Sequence, residues 1–291
     1  MISNEGKLLG KQVDYPQQYT PEILVAVPRH FNREQYQLDA NSLPFIGYDA
    51  WHGYELSFLT NKGLPVTGLL KVVYSATNPS IVESKSFKLY LNSFNMHRFG
   101  NTANEGLSLV LGAIKKDLSQ LLETEVNVGF FKTKHINSTC DFTDYEILEE
   151  NAGVDNISFD HFTEAPHLLS TSEGGGSLQI ATHLLRSNCK ITHQPDWGST
   201  FIYIKSQQLP SKEGLLKYLV SIRNENHFHE EICEMIYKRL WDTFRPEELS
   251  TTCIYTRRGG IDICPTRASH QHLLPQYLID VEQLSSKLLR Q

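Results

Sequence analysis

The most chemically suggestive stretch of the sequence is SNCKITHQPDWGS at residues 187–199, where Cys189 precedes Asp196 by seven positions. A cysteine needs a nearby base or cation to act as a thiolate nucleophile, and an aspartate that takes its proton could return it to a substrate. Pro195 and Gly198 predict a turn around Asp196, and Trp197 could form an apolar wall that raises the carboxyl pKa. Taken alone, a buried thiol followed by a turn is the simpler interpretation.

Two further stretches carry charged groups that suit a ligand. In ESKSFK, Glu83 could accept hydrogen bonds from the polar edge of a purine-type base, and Lys85 and Lys88 could meet phosphate; a solvated helix start is the alternative. In YTRRGG at 255–260, the two glycines permit close backbone approach. Its arginines could clamp a phosphate, or the segment could be a basic hairpin end.

A third stretch, NHFHEE at 226–231, places His229 and Glu230 in the predicted first turn of a helix. Glu230 could bind a ligand or could serve only as a partner of the helix dipole. His227 and His229 form an H-x-H pair, but a metal site would need a third ligand that the sequence does not show.

The elements that must position these residues occur twice. Residues 68–99 and 198–228 resemble each other: each runs from a glycine through an apolar strand and a proline-containing turn into a helical pattern. Apolar residues at helical spacing predict further helices over 103–122 and 229–244, followed by strands over 126–133 and 251–257. The sequence therefore predicts an α+β domain present twice.

Composition narrows the class of protein. The chain has 291 residues, 40% of them hydrophobic, and a net charge of −6, which argues against nucleic-acid binding. No apolar run is long enough for a membrane helix, and the N-terminal residues lack a signal-peptide pattern, so a cytoplasmic location is expected. Neither G-x-G-x-x-G after a strand nor a P-loop motif occurs. The five cysteines fit neither a disulfide framework nor a zinc knuckle; they are Cys140, Cys189, Cys233, Cys253 and Cys264.

In order and spacing, ESKSFKLYLNSFN, SNCKITHQPDWGS, FHE and YTRRGGIDICP resemble the motifs of the long, two-module NADPH-dependent 7-cyano-7-deazaguanine reductases, the nitrile reductases of queuosine biosynthesis. Residues 8–29 and 49–65 are also similar to this family. The resemblance covers nearly the whole chain except the 140–175 segment. One departure is Cys264, where the family pattern D-I-N-P has asparagine.

The resemblance implies two tandem tunnelling-fold (T-fold) modules, each an antiparallel sheet with two helices on one face. We expect an N-terminal module over residues 1–140 with the Glu-Ser-Lys motif, a linker region over 141–178 that contains the flexible TSEGGGS segment, and a C-terminal module over 179–291 with the Cys/Asp motif. It also implies a homodimer, with the active site where the modules meet.

The residue roles below are those that the resemblance implies. Cys189 attacks the nitrile carbon to form a covalent thioimide, and Asp196 takes the thiol proton and protonates the nitrogen. The substrate-binding residues are Val82, Glu83, Ser84, His229 and Glu230. The NADPH-binding residues are Ser84, Lys85, Arg258 and Gly259, with Lys85, Lys88 and Arg257 as candidates for the 2′-phosphate. Two NADPH per substrate are expected, and no metal.

Two rival functions share parts of this pattern. A cysteine-dependent nitrile hydrolase would use the same covalent attack but would need no dinucleotide site, which the ESK and YTRRGG stretches argue against. A zinc-dependent cyclohydrolase relative, or a non-catalytic binder, could occupy the same fold, and zinc held by Cys189 would mark the former.

Overall fold

The computed structural model describes residue 16 and residues 18–132, 140–151 and 153–291. The strands are β1 (Ala26–Pro28), β2 (Ile46–Leu59), β3 (Pro65–Ser75), β4 (Ser80–Val82), β5 (Val126–Phe131), β6 (Glu146–Ile147), β7 (Gly176–Cys189), β8 (Pro195–Ser206), β9 (Asn226–His227), β10 (Glu248–Tyr255) and β11 (Ile261–Ala268). The α-helices are α1 (His30–Gln35), α2 (Ser84–Ser93), α3 (Ala103–Leu122), α4 (Lys212–Ser221), α5 (His229–Phe244) and α6 (Gln276–Ile279). Short 3-10 helices span Pro21–Ile23, Leu148–Glu150, Val154–Asn156, Pro166–Leu168, Ile222–Asn224 and Gln271–Leu273.

One large sheet has the strand order β5-β3-β2-β11-β10-β8-β7-β6 in the described part of the chain, and β9 also pairs with β7. Its long strands pair antiparallel, whereas the short β6 and β9 pair with β7 in parallel. Because β2 pairs with β11, the sheet is continuous between the two halves of the sequence. The prediction of an α+β fold, with helices packed on an antiparallel sheet, is confirmed.

The helices of both halves cover the same face of this sheet. Thr251 of β10 pairs with Arg267 of β11, so their side chains point to the same face of the sheet. Within a strand every second residue points to one face, so Tyr255 and Ile263, each four positions from one of this pair, point to that face as well. Tyr255 lies on that face in the core beneath α4 and α5, and Ile263 lies on it in the core beneath α2 and α3. The four helices therefore form one layer, and side chains at the middle of this layer come from both halves.

The predicted helices over 103–122 and 229–244 are confirmed as α3 and α5. Thr102 caps α3 by accepting a hydrogen bond from the Glu105 N–H. At the start of α5, the Glu231 carboxylate accepts from the Phe228 N–H at 3.0 Å. These caps fix where each helix begins and thus where the residues of its first turn point.

Other elements differ from the prediction in their extent. The strand predicted over 126–133 ends at Phe131, and Thr133 lies outside the described residues. In the predicted linker, Phe142 stacks on Phe201 with 4.2 Å between ring centroids, and Gly176 already pairs with Ser206. Part of the segment predicted to be flexible is thus a strand, because backbone pairing across the sheet orders it. The domain boundaries themselves stay a prediction.

The face opposite the helices is covered by C-terminal residues. The Lys71 ammonium donates to the backbone carbonyls of Tyr277, Asp280 and Gln283 at 2.7–2.8 Å. Burial, followed by the nearby charge of Lys287, lowers the pKa of Lys71 to about 8. This lysine therefore fixes the C-terminal segment to the sheet. None of the helices in the described part of the chain is long and apolar enough to cross a bilayer.

A buried ion network connects the two halves beneath α5. Arg267 contacts Asp49 and Glu234, both at 2.9 Å, and Arg33 contacts Glu234 at 2.8 Å. Arg29 contacts Asp49 at 2.5 Å. The side chains are at most 4% exposed, so each charge depends on its partners to offset lost hydration.

Glu234→Gln is expected to lower the free energy of unfolding by about 3–5 kcal/mol, because it leaves buried arginines without their counter-charge. Chemical unfolding of the two proteins measures this difference. Glu247→Gln is the matched control: its partner Lys205 lies 3.2 Å away and both side chains are nearly half exposed, so a loss below about 1 kcal/mol is expected. Equal losses in the two variants would contradict a stabilising network.

Candidate active site

A cavity of about 360 Å³ lies at the meeting point of the two halves, on the helix-covered side of the sheet. Its volume suits a small aromatic ligand. The predicted site residues that line it are Val82, Ser84, Lys85, Cys189, Asp196, His229, Glu230, Arg258 and Gly259. The structure thus brings together residues that are up to 177 positions apart, from Val82 to Gly259.

Cys189 is the last residue of β7 and is 8% exposed. Its N–H donates to the Gln194 carbonyl at 2.8 Å, and its carbonyl accepts from the His193 N–H, which closes a tight connection to β8. On its other side Cys189 pairs with His227 of β9. Backbone bonds on both sides therefore hold this thiol at the cavity wall.

Asp196 differs from its prediction in two ways. It lies in β8 opposite Ser187 rather than in a turn; the turn falls earlier, in residues 190–194. Trp197 is not a wall against the carboxylate, because neighbouring strand residues point to opposite faces, and its side chain is 37% exposed. The predicted rise in the Asp196 pKa is also wrong: burial alone would raise it, but His229 and Arg258 together outweigh burial and lower it.

Cys189 and Asp196 are diagonal neighbours across the β7–β8 pair. Asp196 lies directly opposite Ser187, and Cys189 follows two residues later on the same face. Such positions have Cβ atoms within roughly 7–8 Å. A substrate atom between the two side chains could therefore contact both.

The first turn of α5 supplies two more groups. His229 stacks on Tyr255 with 3.8 Å between ring centroids, and its Nε2 lies 3.3 Å from Asp196. Glu230 is 3% exposed, and burial, together with the negative charge of Asp49, raises its pKa to about 8. A partnership with the helix dipole alone does not explain this carboxyl, because it is buried and its raised pKa favours the protonated form at neutral pH.

Glu83 is the predicted site residue that does not line the cavity. It is buried and caps α2, where its carboxylate accepts from the Ser86 N–H at 3.2 Å. The alternative of a solvated helix start is right about the helix start but wrong about solvation at Glu83, which is buried. Val82 and Ser84 on either side of it line the cavity, so Glu83 adjoins the lining in sequence.

The β10–β11 hairpin brings Arg258 and Gly259 to the cavity. Gly259 and Gly260 have φ of 60° and 77°, as a two-residue type I′ turn requires. A Cβ on Gly259 would lie 3.0 Å from Lys88 Nζ, so the hairpin tip approaches α2 closely. Arg258 instead reaches back across the cavity: its Nη1 donates to Asp196 at 2.6 Å.

The cationic side chains divide into two groups. Lys85 and Lys88 line the cavity on α2, whereas the Arg257 guanidinium packs 3.3 Å from the centroid of the Tyr54 ring. The cavity thus has an apolar floor, an acidic end at Glu230 and a basic rim at α2 and the hairpin tip. This donor set fits a polar aromatic base together with a phosphorylated cofactor.

One cluster of possible metal ligands lies elsewhere. Within the described ranges, the grouping that places three such side chains within 4.8 Å consists of His52, Asp262 and Cys264, without Cys189. The Lys287 ammonium lies 3.1 Å from the Asp262 carboxylate and 3.2 Å from His52 Nδ1, so a cationic group is already present there. The rival zinc site at Cys189 gains no support from this arrangement.

Sequence reasoning missed several residues of the site. Thr192 and Gln194 line the cavity from the β7–β8 connection, and Trp51 lines it from β2. Tyr255 was named only as the start of a basic stretch, although it stacks on His229. Strand alternation could have indicated Gln194, because it lies two positions before Asp196 and therefore points to the same face. The positions of Thr192, Trp51 and Tyr255 in the site depend on tertiary packing, which the sequence does not show.

Comparison with known proteins assigns the family. An NADPH-dependent 7-cyano-7-deazaguanine reductase of Colwellia psychrerythraea is 40% identical over 275 residues, which cover 92% of this chain and 93% of that protein. The chain belongs to this family. A second 7-cyano-7-deazaguanine reductase, from Coxiella burnetii, is 38% identical over 270 residues, covering 92% and 94% of the two chains.

Family models for the reductases match both halves. Residues 15–130 match "Nitrile reductase, 7-cyano-7-deazaguanine-reductase N-term", and residues 195–273 match "QueF-like protein". A crystal structure of the apo archaeosine synthase QueF-Like is 16% identical and covers 33% of this chain and 94% of its own, with a TM-score of 0.29, which is too low to carry a structural argument. Membership in the reductase family does not favour the nitrile hydrolase or zinc cyclohydrolase alternatives.

Proposed function

We propose that this protein reduces the nitrile of 7-cyano-7-deazaguanine to the 7-aminomethyl group with two NADPH, in queuosine biosynthesis. The observation that carries this proposal is the single cavity in which a buried thiol, a carboxylate and a basic rim meet. The relatives at 38–40% identity bear the name of this activity.

The proposed chemistry begins at Cys189. The thiol proton passes to Asp196, the S–C bond forms as one π bond of the nitrile breaks, and Asp196 returns the proton to nitrogen, which gives a thioimide. Covalent attachment converts a poor hydride acceptor into a protonatable C=N group. NADPH supplies hydride. The first hydride and a proton give a thiohemiaminal, whose C–S bond breaks to restore the thiol and leave an imine; the second hydride and a proton complete the amine.

The remaining residues bind and orient. We assign the polar edge of the base to Glu230 and to Glu83, whose neighbours Val82 and Ser84 line the cavity, with His229 holding the substrate. Ser84, Lys85, Arg258 and Gly259 are assigned to NADPH. For the 2′-phosphate, the geometry supports Lys85 and Lys88 over Arg257, which packs on Tyr54. A closed site would keep the imine from water.

The assembly belongs to the same proposal. We infer two tandem T-fold modules over 1–140 and 179–291 with a linker region over 141–178, a homodimer, and a cytoplasmic enzyme without direct nucleic-acid or membrane contact. The continuous sheet and the four helices on one of its faces support the module assignment. Sedimentation of the purified protein tests the dimer.

The stoichiometry of cofactor use tests the activity. With limiting 7-cyano-7-deazaguanine, we expect two NADPH oxidised per nitrile consumed and one primary amine formed, measured by absorbance and mass spectrometry. Ammonia and an acid without NADPH oxidation would instead identify the nitrile hydrolase. Omitting the nitrile is the control, and it should leave NADPH unchanged.

A further inference from the structure

Arg258 is engaged with the catalytic segment rather than with the basic rim. Its Nη1 donates to Asp196 Oδ1 at 2.6 Å, and its Nη2 contacts Gln194 Oε1 and Thr192 Oγ1. Both terminal nitrogens therefore point to the β7–β8 pair. The Asp196 carboxylate is 6% exposed, whereas the Arg258 side chain is 41% exposed and can reorient.

The same guanidinium is placed to meet an anionic cofactor. Arg258 lines the cavity together with Lys85 and Lys88, and the adjoining hairpin tip touches Lys88. A guanidinium that binds phosphate by its planar fork must direct its terminal N–H groups at that phosphate. Those are the groups that now hold Asp196 and Gln194, so the two interactions compete for one side chain.

We propose that Arg258 is a positioning residue that couples cofactor binding to proton transfer, because the cofactor phosphate draws its guanidinium away from Asp196. This inference rests on the proposed function and adds to it an effect of the cofactor on the rate of adduct formation. In the free protein Arg258 holds the carboxylate and the adduct forms more slowly; with the dinucleotide bound, the carboxylate is released and takes the thiol proton more readily.

The groups around Asp196 show what the release changes. The charged or titratable groups that contact its carboxylate are Arg258 from the hairpin and His229 from α5, with Tyr255 of β10 stacked behind His229. Burial raises the pKa of Asp196, and both partners lower it. When Arg258 departs, one of the two groups that lower the pKa of Asp196 is gone, so this pKa rises. The carboxylate then becomes a better acceptor for the Cys189 proton.

Coupling between two interactions is reciprocal. If NADP⁺ must pull Arg258 from Asp196, then Asp196→Asn should tighten NADP⁺ binding, by at least about fivefold, the lower end of usual couplings. Titration calorimetry of the full-length protein with NADP⁺ measures this without turnover. Thermal melting of each variant verifies that it is folded.

Two controls separate this coupling from a general charge effect. In an Arg258→Gln background, adding Asp196→Asn should no longer change NADP⁺ affinity, because the competing side chain is gone. Glu231→Gln removes another carboxylate near the cavity that contacts Lys190 and His227 rather than Arg258. It should leave NADP⁺ affinity unchanged.

A second readout follows Cys189 directly. The rate of adduct formation with the nitrile, followed by intact mass without NADPH, should fall on the acid side as Asp196 becomes protonated. In the unmodified protein, NADP⁺ should move this fall in rate, the acid limb of the pH profile, to higher pH. In Arg258→Gln the acid limb should already lie at higher pH than in the unmodified protein without NADP⁺, and NADP⁺ should not move it further.

The outcomes are distinct. Equal NADP⁺ affinity in the unmodified protein and Asp196→Asn, or equal tightening in the Arg258→Gln background, overturns the coupling. An acid limb that ignores NADP⁺ overturns it as well. Absence of any NADP⁺ binding and of any Cys189 adduct would instead contradict the reductase function itself.

Discussion

Cys189→Ala is expected to lose both turnover and the covalent adduct. Without the thiol, the nitrile has no covalent route to a protonatable C=N group, so kcat should fall by at least about 10⁴-fold. Intact mass after incubation with the nitrile, without NADPH, should show an increase equal to the substrate in the unmodified protein and none in the variant. NADPH oxidation measures turnover.

The control for this result is Cys140→Ala. Cys140 is half-buried and packs on the opposite side of the sheet, near Phe142, so its variant should form the adduct and turn over normally. NADP⁺ binding should persist in Cys189→Ala, which would place the defect in the chemistry rather than in binding. An adduct that survives in Cys189→Ala would mean that another residue is the nucleophile.

Local signals predicted the elements well. The apolar spacing over 103–122 and 229–244 specifies two amphipathic helices whose ends coincide with α3 and α5. Helical periodicity and capping depend on residues within a few positions of each other, so a single sequence contains them. The motif at His229 and Glu230 was therefore placed correctly at a helix start, whereas the turn predicted at Asp196 is part of β8.

The environment of Asp196 could not be predicted in the same way. Its partner Arg258 lies 62 positions away and reaches it through a hairpin on another strand. Reading Pro-Asp-Trp-Gly as a turn assigned Trp197 to the carboxylate, whereas pairing with β7 makes the segment a strand and sends Trp197 to the other face. The sign of the Asp196 pKa shift instead follows from the contacts with His229 and Arg258, which come from distant parts of the sequence.

The connection between the halves was likewise beyond local reasoning. Two similar α+β halves were predicted, but the pairing of β2 with β11 joins residues more than 200 positions apart. The ion pair of Arg33 with Glu234 spans a similar separation. Neither feature has a signature in spacing or composition. For the ion pair the sequence would even suggest exposure, because charged residues in helices are usually on the surface.

Glu230→Gln is expected to stabilise the free protein and to weaken substrate binding. In the folded protein the pKa of Glu230 is raised to about 8, above its unfolded value near 4.5. The folded state thus holds a proton that the unfolded state releases, so Glu230 lowers the free energy of unfolding progressively as pH rises from about 4.5 to 8. Gln lacks this penalty, so the melting temperature of the variant should exceed that of the unmodified protein at pH 9 and match it near pH 5.

Substrate binding should respond in the opposite direction. The polar edge of the base offers N–H donors, which a carboxylate accepts better than an acid or an amide, so the nitrile should displace the proton from Glu230. Its affinity for the unmodified protein should rise with pH up to about 8 and stay flat in Glu230→Gln, where it should be about 10- to 100-fold weaker. Calorimetry in buffers of different ionisation enthalpy measures the proton released.

Glu231→Gln, in the same helical turn, should not show the gain in stability at high pH, since its carboxylate caps α5 and pairs with Lys190. If Glu230→Gln melts at the same temperature as the unmodified protein at pH 9, the buried carboxyl carries no penalty and the coupling of its proton to substrate binding is lost with it.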